Sequence, residues 1–370
     1  MLNKELMVRV LFISHHLNRA GTETFMMNVF RGIDHSRFQV DFLIYTNKET
    51  DYTREVEAAG CKIWRVPSRR ESFFGWYCSL NKFFKEHAKE YAAVHYCGNG
   101  LTAIAPLLFA YKCGIPIRIV HSHSSSSNGL HNRILHRLQR GIAQRITTHH
   151  FACSSLAAKW FYGDSPAVVI NNGIDSNRFA YNLDKRNEIR AELGFSDGVV
   201  VLGHVGRFER EKNHDFLLDI FTRYLSKNPN SYLMLIGVGN LLDAIKDKAV
   251  KLGVIDQIKF MGERSDVNVL LQAMDIFVMP SIFEGQPFVL IEAQCAGLPC
   301  LVSDVVNKDI CLTENVETMS LLLSADEWAL KIEQSLSTFI RRDQSKSVEM
   351  QGFSIASTIK YLENVYVGNI

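Results

Sequence analysis

The chain alternates short apolar runs, rich in β-branched and aromatic residues, with segments of helical periodicity, and it does so twice. That alternation is the pattern of a parallel α/β sheet, in which each strand needs a crossover helix to reach the next. In the first series residues 8–13, 40–45 and 62–66 read as strands, with helices over 21–31 and 73–89. Residues 92–96 and 117–121 are strands around a helix near 101–113, and 150–153 and 167–170 close the half. A turn cluster, Asn171-Asn172-Gly173-Ile174-Asp175, leads into polar sequence that runs to about residue 197. The second series begins at 199–205 and continues with strands at 231–236, 257–260, 276–279 and 299–302. The domain boundary is therefore expected between 172 and 196. A last helical pattern over 355–367 carries Ile355, Ile359, Leu362 and Tyr366 on one face. It lies outside the second series and can pack on either domain. The predicted class is α/β, with two doubly wound parallel sheets. Ligands bind at the carboxyl ends of such sheets, so a cleft between the domains is the expected site.

The length of 370 residues suits two domains. Apolar residues at 47% and charged residues at 22% exclude a disordered chain or a collagen. A near balance of 41 basic and 39 acidic residues gives no reason to expect nucleic acid. The longest uncharged apolar run, 101–111, falls far short of the roughly 20 residues that span a bilayer. Residues 1–14 read as a first buried strand, not a signal peptide. Eight cysteines without CxxC pairing suit reduced thiols in the cytoplasm and build no zinc pattern.

Five stretches could carry chemistry. Pro280 to Ala293 follows a strand with a glycine and a proline in its turn, and 286–296 reads as a helix. Glu284 lies in the turn and Glu292 two turns into that helix, among apolar neighbours, where a carboxylate needs a partner. The helix start offers free N–H groups to an anion or to sugar hydroxyls. Gly203 to Asn213 places Arg207 and Lys212 at a strand's carboxyl end, two fixed cations suited to a diphosphate as readily as to a solvated loop. Gly237-Val238-Gly239 is half of a dinucleotide fingerprint, with Leu242 where the third glycine would stand; it permits close approach of a nucleotide. Gly21 opens a helix after the first strand. His121 and His123 end another strand, ahead of a serine run. The two histidines are read as pointing to opposite sides of that strand, so no metal pair is expected, and His123 is favoured as the site residue. No Asp-x-Asp occurs, which leaves a metal-bound diphosphate without its paired aspartates.

The ordered set "NNGID", "GHVGRFEREKNH", "LMLIGVGN", "FMGERSDV" and "PSIFEGQPFVLIEAQCAGLPCLVSD", with "AGTET" and "VHSHS" before it, resembles the retaining glycosyltransferases of family 4. The details are most similar to bacterial exopolysaccharide and capsule enzymes. The resemblance covers most of the chain and implies the GT-B fold, two Rossmann-like domains facing across a cleft. It implies an acceptor-binding domain over 1–178, a nucleotide-sugar domain over 179–352 and a C-terminal helix, 353–370, packing back toward the first. Glu292 would hold ribose hydroxyls. Glu284 would face the donor sugar with the backbone of Gly285, Gln286, Pro287 and Phe288. Arg207 and Lys212, beside Gly206, would hold the diphosphate. Gly237, Gly239 and the backbone from Met261 to Arg264 would border the nucleotide. Gly21 would approach phosphate and acceptor, and His123 would lie near the reacting sugar. Ala20 departs from the family, which carries a second glycine there. No cofactor and no metal are implied.

One feature stands apart from the resemblance. Residues 91–163 contain no Asp or Glu, so all 39 acidic residues lie elsewhere, while seven of the basic residues and seven histidines fall here. Ile134, Leu138, Ile142 and Ile146 recur at i+4 among Arg133, Arg137, Arg140 and Arg145. A basic amphipathic helix of this kind either packs into the core or lies on an anionic membrane, which makes 112–145 a candidate peripheral contact. The expected function is transfer of a sugar from a nucleotide-sugar, a UDP-sugar, to a glycan or lipid-linked glycan. The enzyme would be cytoplasmic, on the inner face of the membrane. A nucleotide-sugar epimerase and a non-catalytic nucleotide-sugar-binding protein are the alternatives.

Overall fold

The computed structural model describes residues 7–124 and 129–370. The sequence readings that touch residues 1–6 and the serine stretch 125–128 lie outside these. The chain forms two units. One comprises residues up to Gly173 together with Ile355–Ile370, the other Ile174–Ser354. The breaks fall five residues before the expected 178 and two after the expected 352.

The first unit runs β1 (Val8–Ser14), α1 (Gly21–Gly32), β2 (Phe38–Ile44), α2 (Thr53–Ala58), β3 (Ile63–Arg65), α3 (Phe73–His87), β4 (Ala93–Gly98), α4 (Ala105–Lys112), β5 (Ile117–Ser122), α5 (Leu130–Ile146), β6 (His149–Ala152), α6 (Ser155–Tyr162) and β7 (Val168–Val169). Its seven strands are parallel in the order β3-β2-β1-β4-β5-β6-β7. Val10 to Ile13 of β1 are fully buried, as a central strand covered on both faces requires. Each such side chain contributes about 1.5–3 kcal/mol by leaving water. The layer α3, α4, α5 and α6 packs side by side.

The second unit runs α7 (Ser176–Phe179), α8 (Leu183–Glu192), β8 (Val200–Val205), α9 (His214–Lys227), β9 (Ser231–Ile236), α10 (Leu242–Lys251), β10 (Ile258–Gly262), α11 (Val267–Ala273), β11 (Ile276–Met279), α12 (Phe288–Cys295), β12 (Cys300–Ser303), β13 (Val316–Met319), α13 (Ala325–Ser337) and α14 (Ser345–Val348). Six parallel strands stand in the order β10-β9-β8-β11-β12-β13.

Three elements here escape the hydrophobic pattern. The polar stretch before residue 197 contains α7 and α8, because α8 docks through charge. Arg186 donates to the carbonyls of Gln272 and Met274 and pairs with Asp275, and Arg190 donates to Ala273 and pairs with the same carboxylate. The edge strand β13 is too short and too polar to announce itself; it pairs with β12 through Cys300↔Val316 to Ser303↔Met319. Helix α12 begins at Phe288, two residues later than expected, since Pro287 stands extended at its N-cap.

The last helix, α15 (Ile355–Tyr366), packs on α1 of the first unit. Tyr366 is fully buried there, and its hydroxyl lies 2.8 Å from His95 Nδ1. His95 Nε2 lies 3.1 Å from His121 Nδ1, so one chain of polar contacts crosses the sheet face. Tyr366→Phe leaves the His95 ring nitrogen buried without its partner, at a cost of about 1–3 kcal/mol. Guanidinium unfolding should show a lower midpoint with an unchanged slope; an unaltered midpoint would contradict the assignment.

Candidate active site

In each unit the strand order reverses beside the first strand of the series, and loops leaving the two central strands part in opposite directions. Such a switch point opens a crevice at the carboxyl edge. In the second unit the reversal falls between β8 and β11. After β8 come Gly206 to Lys212, with Arg207 exposed and a single turn of 3₁₀ helix over Arg210–Lys212. Asn213 then takes a left-handed conformation (φ 54°) and donates from Nδ2 to the Pro280 carbonyl, 3.0 Å away. After β11 come Pro280 to Pro287, tied to the first loop where Ile282 N–H donates to the Glu211 carbonyl at 2.8 Å.

Lys212 and Glu284 meet across this switch point at 2.7 Å, with the carboxylate 7% exposed. A carboxylate so enclosed is tolerable because the ammonium is there. Arg207 and Arg210 lie on the same loop, so three cations stand at this strand end. Beyond Glu284 the loop is open: a Cβ on Gly285 would touch nothing, and Gln286 Oε1 is buried without a partner among the described residues. Pro287 and Phe288 are buried and seat the start of α12. Beneath the loop, His204 and His214 stand with ring centroids 4.8 Å apart, and Phe208 stacks on His214 at 4.1 Å. Burial holds both imidazoles neutral, His204 well below its usual range and His214 down to about 4. The positive charge of the loop thus comes from Arg207, Arg210 and Lys212.

Gly237 and Gly239 stand where the loop backbones come too close for a side chain. A Cβ on Gly237 would stand 2.1 Å from the Gly206 carbonyl oxygen, and one on Gly239 would stand 2.6 Å from the Phe208 backbone. They let the loop after β9 press on the loop after β8. Gly237 N–H also donates to the Gly262 carbonyl at 2.8 Å, linking the end of β10 to the same edge. Arg264, just beyond, is held by Asp266 through two hydrogen bonds of 2.8 and 2.6 Å.

Glu292 lies in the second turn of α12. Burial raises its carboxyl to about 7, and the opposing influence is Arg178 on α7. Arg178 itself donates to the Ser265 carbonyl at 3.0 Å.

In the first unit the candidate residues sit on the ends of β1 and β5. Gly21 opens α1, and a Cβ there would meet nothing within 4 Å, so local packing does not demand a glycine. Glu23, in the first turn, is buried against the Ser14 hydroxyl at 3.0 Å. The reading that His121 and His123 face opposite ways is wrong. Alternate residues of a strand share a face, and the two rings lie 4.1 Å apart. Burial lowers His123 to about 3, so it acts as a neutral imidazole. His95, Cys97 and His121 are buried together with ligating atoms within 4.8 Å of one another. The contacts of His95 with Tyr366 and His121 already engage part of that set. The helix stripe also departs from a core-packed reading: Ile134, Leu138 and Ile142 are exposed and only Ile146 is buried.

Comparison with known proteins places this arrangement. The family described as Glycosyl transferases group 1 matches residues 185–337. A putative glycosyltransferase of Bacillus subtilis, EpsF, is 31% identical over 372 residues, covering 97% of this chain and 96% of its own. The chain belongs to the group 1 glycosyltransferases. An Escherichia coli relative, named UDP-Gal:alpha-D-GlcNAc-diphosphoundecaprenol alpha-1,3-galactosyltransferase, is 25% identical over 311 residues, 78% of this chain and 79% of that one. Among solved structures, HepE of Anabaena in complex with UDP superposes with a TM-score of 0.78 at 17% identity, over 98% of this chain and all of that one. The fold of this glycosyltransferase is GT-B.

The residues that sequence reasoning passed over are Arg178, whose charge acts on Glu292 from a helix hidden in polar sequence, and the His204–His214 pair. The signals were present in "NNGID" and "KNH", but nothing in their spacing shows which charges meet. Because the folded state holds the Glu292 proton more tightly than the unfolded chain, stability is lost as pH rises from about 4.5 to about 7 and stays lost above. Glu292→Gln should raise the melting temperature of the glycosyltransferase at pH 8, by up to roughly 3 kcal/mol in stability, with the gain fading toward pH 4.5. Calorimetric melts across that range read the trend, and a gain independent of pH would exclude it.

Proposed function

We propose that this glycosyltransferase moves a sugar from a UDP-sugar to a glycan or lipid-linked glycan, with retention at the anomeric carbon and without a metal, in the building of a bacterial surface polysaccharide. The observation that supports the reading best is the Lys212–Glu284 pair at the switch point, with Arg207 beside it and Glu292 on the following helix. A departing nucleoside diphosphate gains negative charge as the bond to the sugar lengthens, and fixed cations aimed there lower that barrier. In the proposed role Lys212 stabilises the β-phosphate, while Glu284, freed to hydrogen-bond, orients sugar hydroxyls with the open backbone at Gly285. Glu292 accepts hydrogen bonds from the ribose as a carboxylate. In the first unit, His123 is the neutral group offered to a sugar at the end of β5.

In the step itself the acceptor oxygen forms its bond to the anomeric carbon on the face from which the diphosphate leaves. The electron pair of the broken bond departs with UDP, and the hydroxyl proton passes to the departing phosphate oxygen. The HepE likeness with UDP bound and the E. coli relative's printed donor favour uridine as the base. No helix among the described residues is long and apolar enough to cross a membrane. The reading accordingly includes peripheral attachment at the inner face of the cytoplasmic membrane.

Lys212→Ala should weaken UDP binding about 10- to 100-fold, the worth of a charge-assisted hydrogen bond. Glu292→Ala should weaken it as well, whereas Glu284→Gln should mainly lower turnover. Titration calorimetry with UDP and release of UDP from UDP-sugars with acceptor present measure the two effects. Wild-type UDP affinity in both of the first two variants would contradict the assignment, and turnover of the donor to an epimer without UDP release would favour the epimerase.

A further inference from the structure

Strands β4 and β5 are neighbours in the first sheet, paired in a register that sets Cys97 beside His121. Side chains two residues apart on a strand share a face. His95 and Cys97 of β4, His121 of β5 and His123 just past its end therefore occupy adjacent positions on one face of the sheet. The sequence carries this as His-x-Cys over 95–97 and His-x-His over 121–123. The rings of His121 and His123 lie 4.1 Å apart on that side, as a metal pair requires.

The ligating atoms of His95, Cys97 and His121 fall within 4.8 Å of one another. His95 Nε2 and His121 Nδ1 are 3.1 Å apart. Two imidazole nitrogens on a tetrahedral zinc ion stand roughly 3.3 Å apart. An ion can thus replace the proton between these rings with little movement of either. The remaining nitrogens suit the same arrangement. His95 turns Nδ1 to the Tyr366 hydroxyl at 2.8 Å, and a metal-bound imidazole characteristically donates its second N–H to an oxygen. Both ring nitrogens of His123 are buried without a partner among the described residues, as is His121 Nε2.

The surroundings exclude water. His95 and His121 are fully buried, and Cys97 is 2% exposed. Phe12 packs on His95 at 4.9 Å, and Phe25 of α1 packs on His121 and on His123, each at 4.8 Å between ring centroids. A divalent ion bound to a single thiolate keeps one positive charge, which is costly to bury alone. Glu23, buried in the first turn of α1, acts electrostatically on Cys97 and offers the opposing charge. Imidazoles with a thiolate select a borderline-soft ion such as zinc, whereas magnesium and calcium seek oxygen ligands.

We propose that His95, Cys97 and His121 form a zinc site in the first unit, closed at its fourth corner by His123. The ion joins β4 to β5 and, through His95 and Tyr366, fixes the C-terminal helix α15 on the sheet. As the metal–sulfur bond forms, Cys97 gives up its thiol proton to solvent, so binding releases one proton for each ion. The imidazoles stay neutral. The hydrogen of His95 sits on Nδ1, donated to the Tyr366 oxygen, and that of His121 sits on Nε2. His123 ligates through one nitrogen and keeps the N–H of the other for a sugar. The site stands apart from the transferase reading, because no step of the proposed transfer passes through the ion.

The test uses the full, reduced chain with zinc and cobalt ions as probes, and with the exposed Cys78 replaced (Cys78→Ser) to remove a competing thiol. Competition with a chromophoric chelator should find one tightly held zinc per chain. Cobalt should give a thiolate charge-transfer band in the near ultraviolet and the intense visible bands of four-coordination. Cys97→Ser, and separately Cys97→Ala, should abolish the charge-transfer band and the tight zinc binding, with circular dichroism unchanged. Tyr366→Phe should weaken zinc about 10- to 100-fold, as loss of an outer hydrogen-bond partner does. His123→Ala should alter the visible cobalt bands and keep the thiolate band. Zinc should raise the melting temperature of the parent chain and leave the Cys97 variants at their metal-free values. Zinc held no more tightly by the parent than by the Cys97 variants, or a cobalt spectrum without the thiolate band, overturns the proposal. Equal zinc affinity in Tyr366→Phe overturns the link to α15, and visible bands unchanged in His123→Ala overturn the fourth ligand.

Discussion

The ion pair between Lys212 and Glu284 joins two loops that leave neighbouring strands in opposite directions, and the geometry of the second unit's site follows from it. A parallel sheet cannot turn back on itself through a hairpin. It must cross over through helices, and where the crossovers change direction the strand ends are left uncovered. An enclosed carboxylate on one side of that gap is tolerable only with a cation on the other. Gly237 and Gly239 matter for the same reason, since they allow the next loop to press against Gly206 and Phe208 and fix the backbone that carries Arg207.

The first unit repeats the topology with different chemistry at its strand ends. Its reversal lies between β1 and β4, and the neighbouring strand ends carry cations, two aromatic rings and two donors without partners. The helix layer beside it carries apolar side chains that face outward. Hydrophobic groups usually turn inward because burial stabilises them, and the outward row at i+4 on α5 departs from that rule.

Much of this was legible in order along the chain. Central strands such as β1, β8 and β11 are continuous apolar runs, because both faces of a parallel sheet are covered, and their ends fall within a residue or two of the expected positions. Helices α7 and α8 were not legible, since arginines and backbone carbonyls hold them in place where an apolar stripe would normally do so. Nor was β13, an edge strand with half its contacts in solvent. The recurrence of Ile134, Leu138 and Ile142 was plain in the sequence, but the pattern is the same whether the stripe meets core or solvent.

The sequence by itself determined the α/β class, the two series of strands and the ordered motifs that place Arg207, Lys212 and Glu284 after strand ends and Glu292 on the helix that follows, because periodicity and turn residues are local properties. Only the tertiary structure decided which of those groups meet. Lys212 finds Glu284 across 72 positions, the charge of Arg178 acts on Glu292, and His121 and His123 share a face. It also decided that the cations after β2 and β3 converge on Tyr45 and Trp76. Pairing over such separations depends on the strand order and on the direction of each crossover, and no local pattern encodes either.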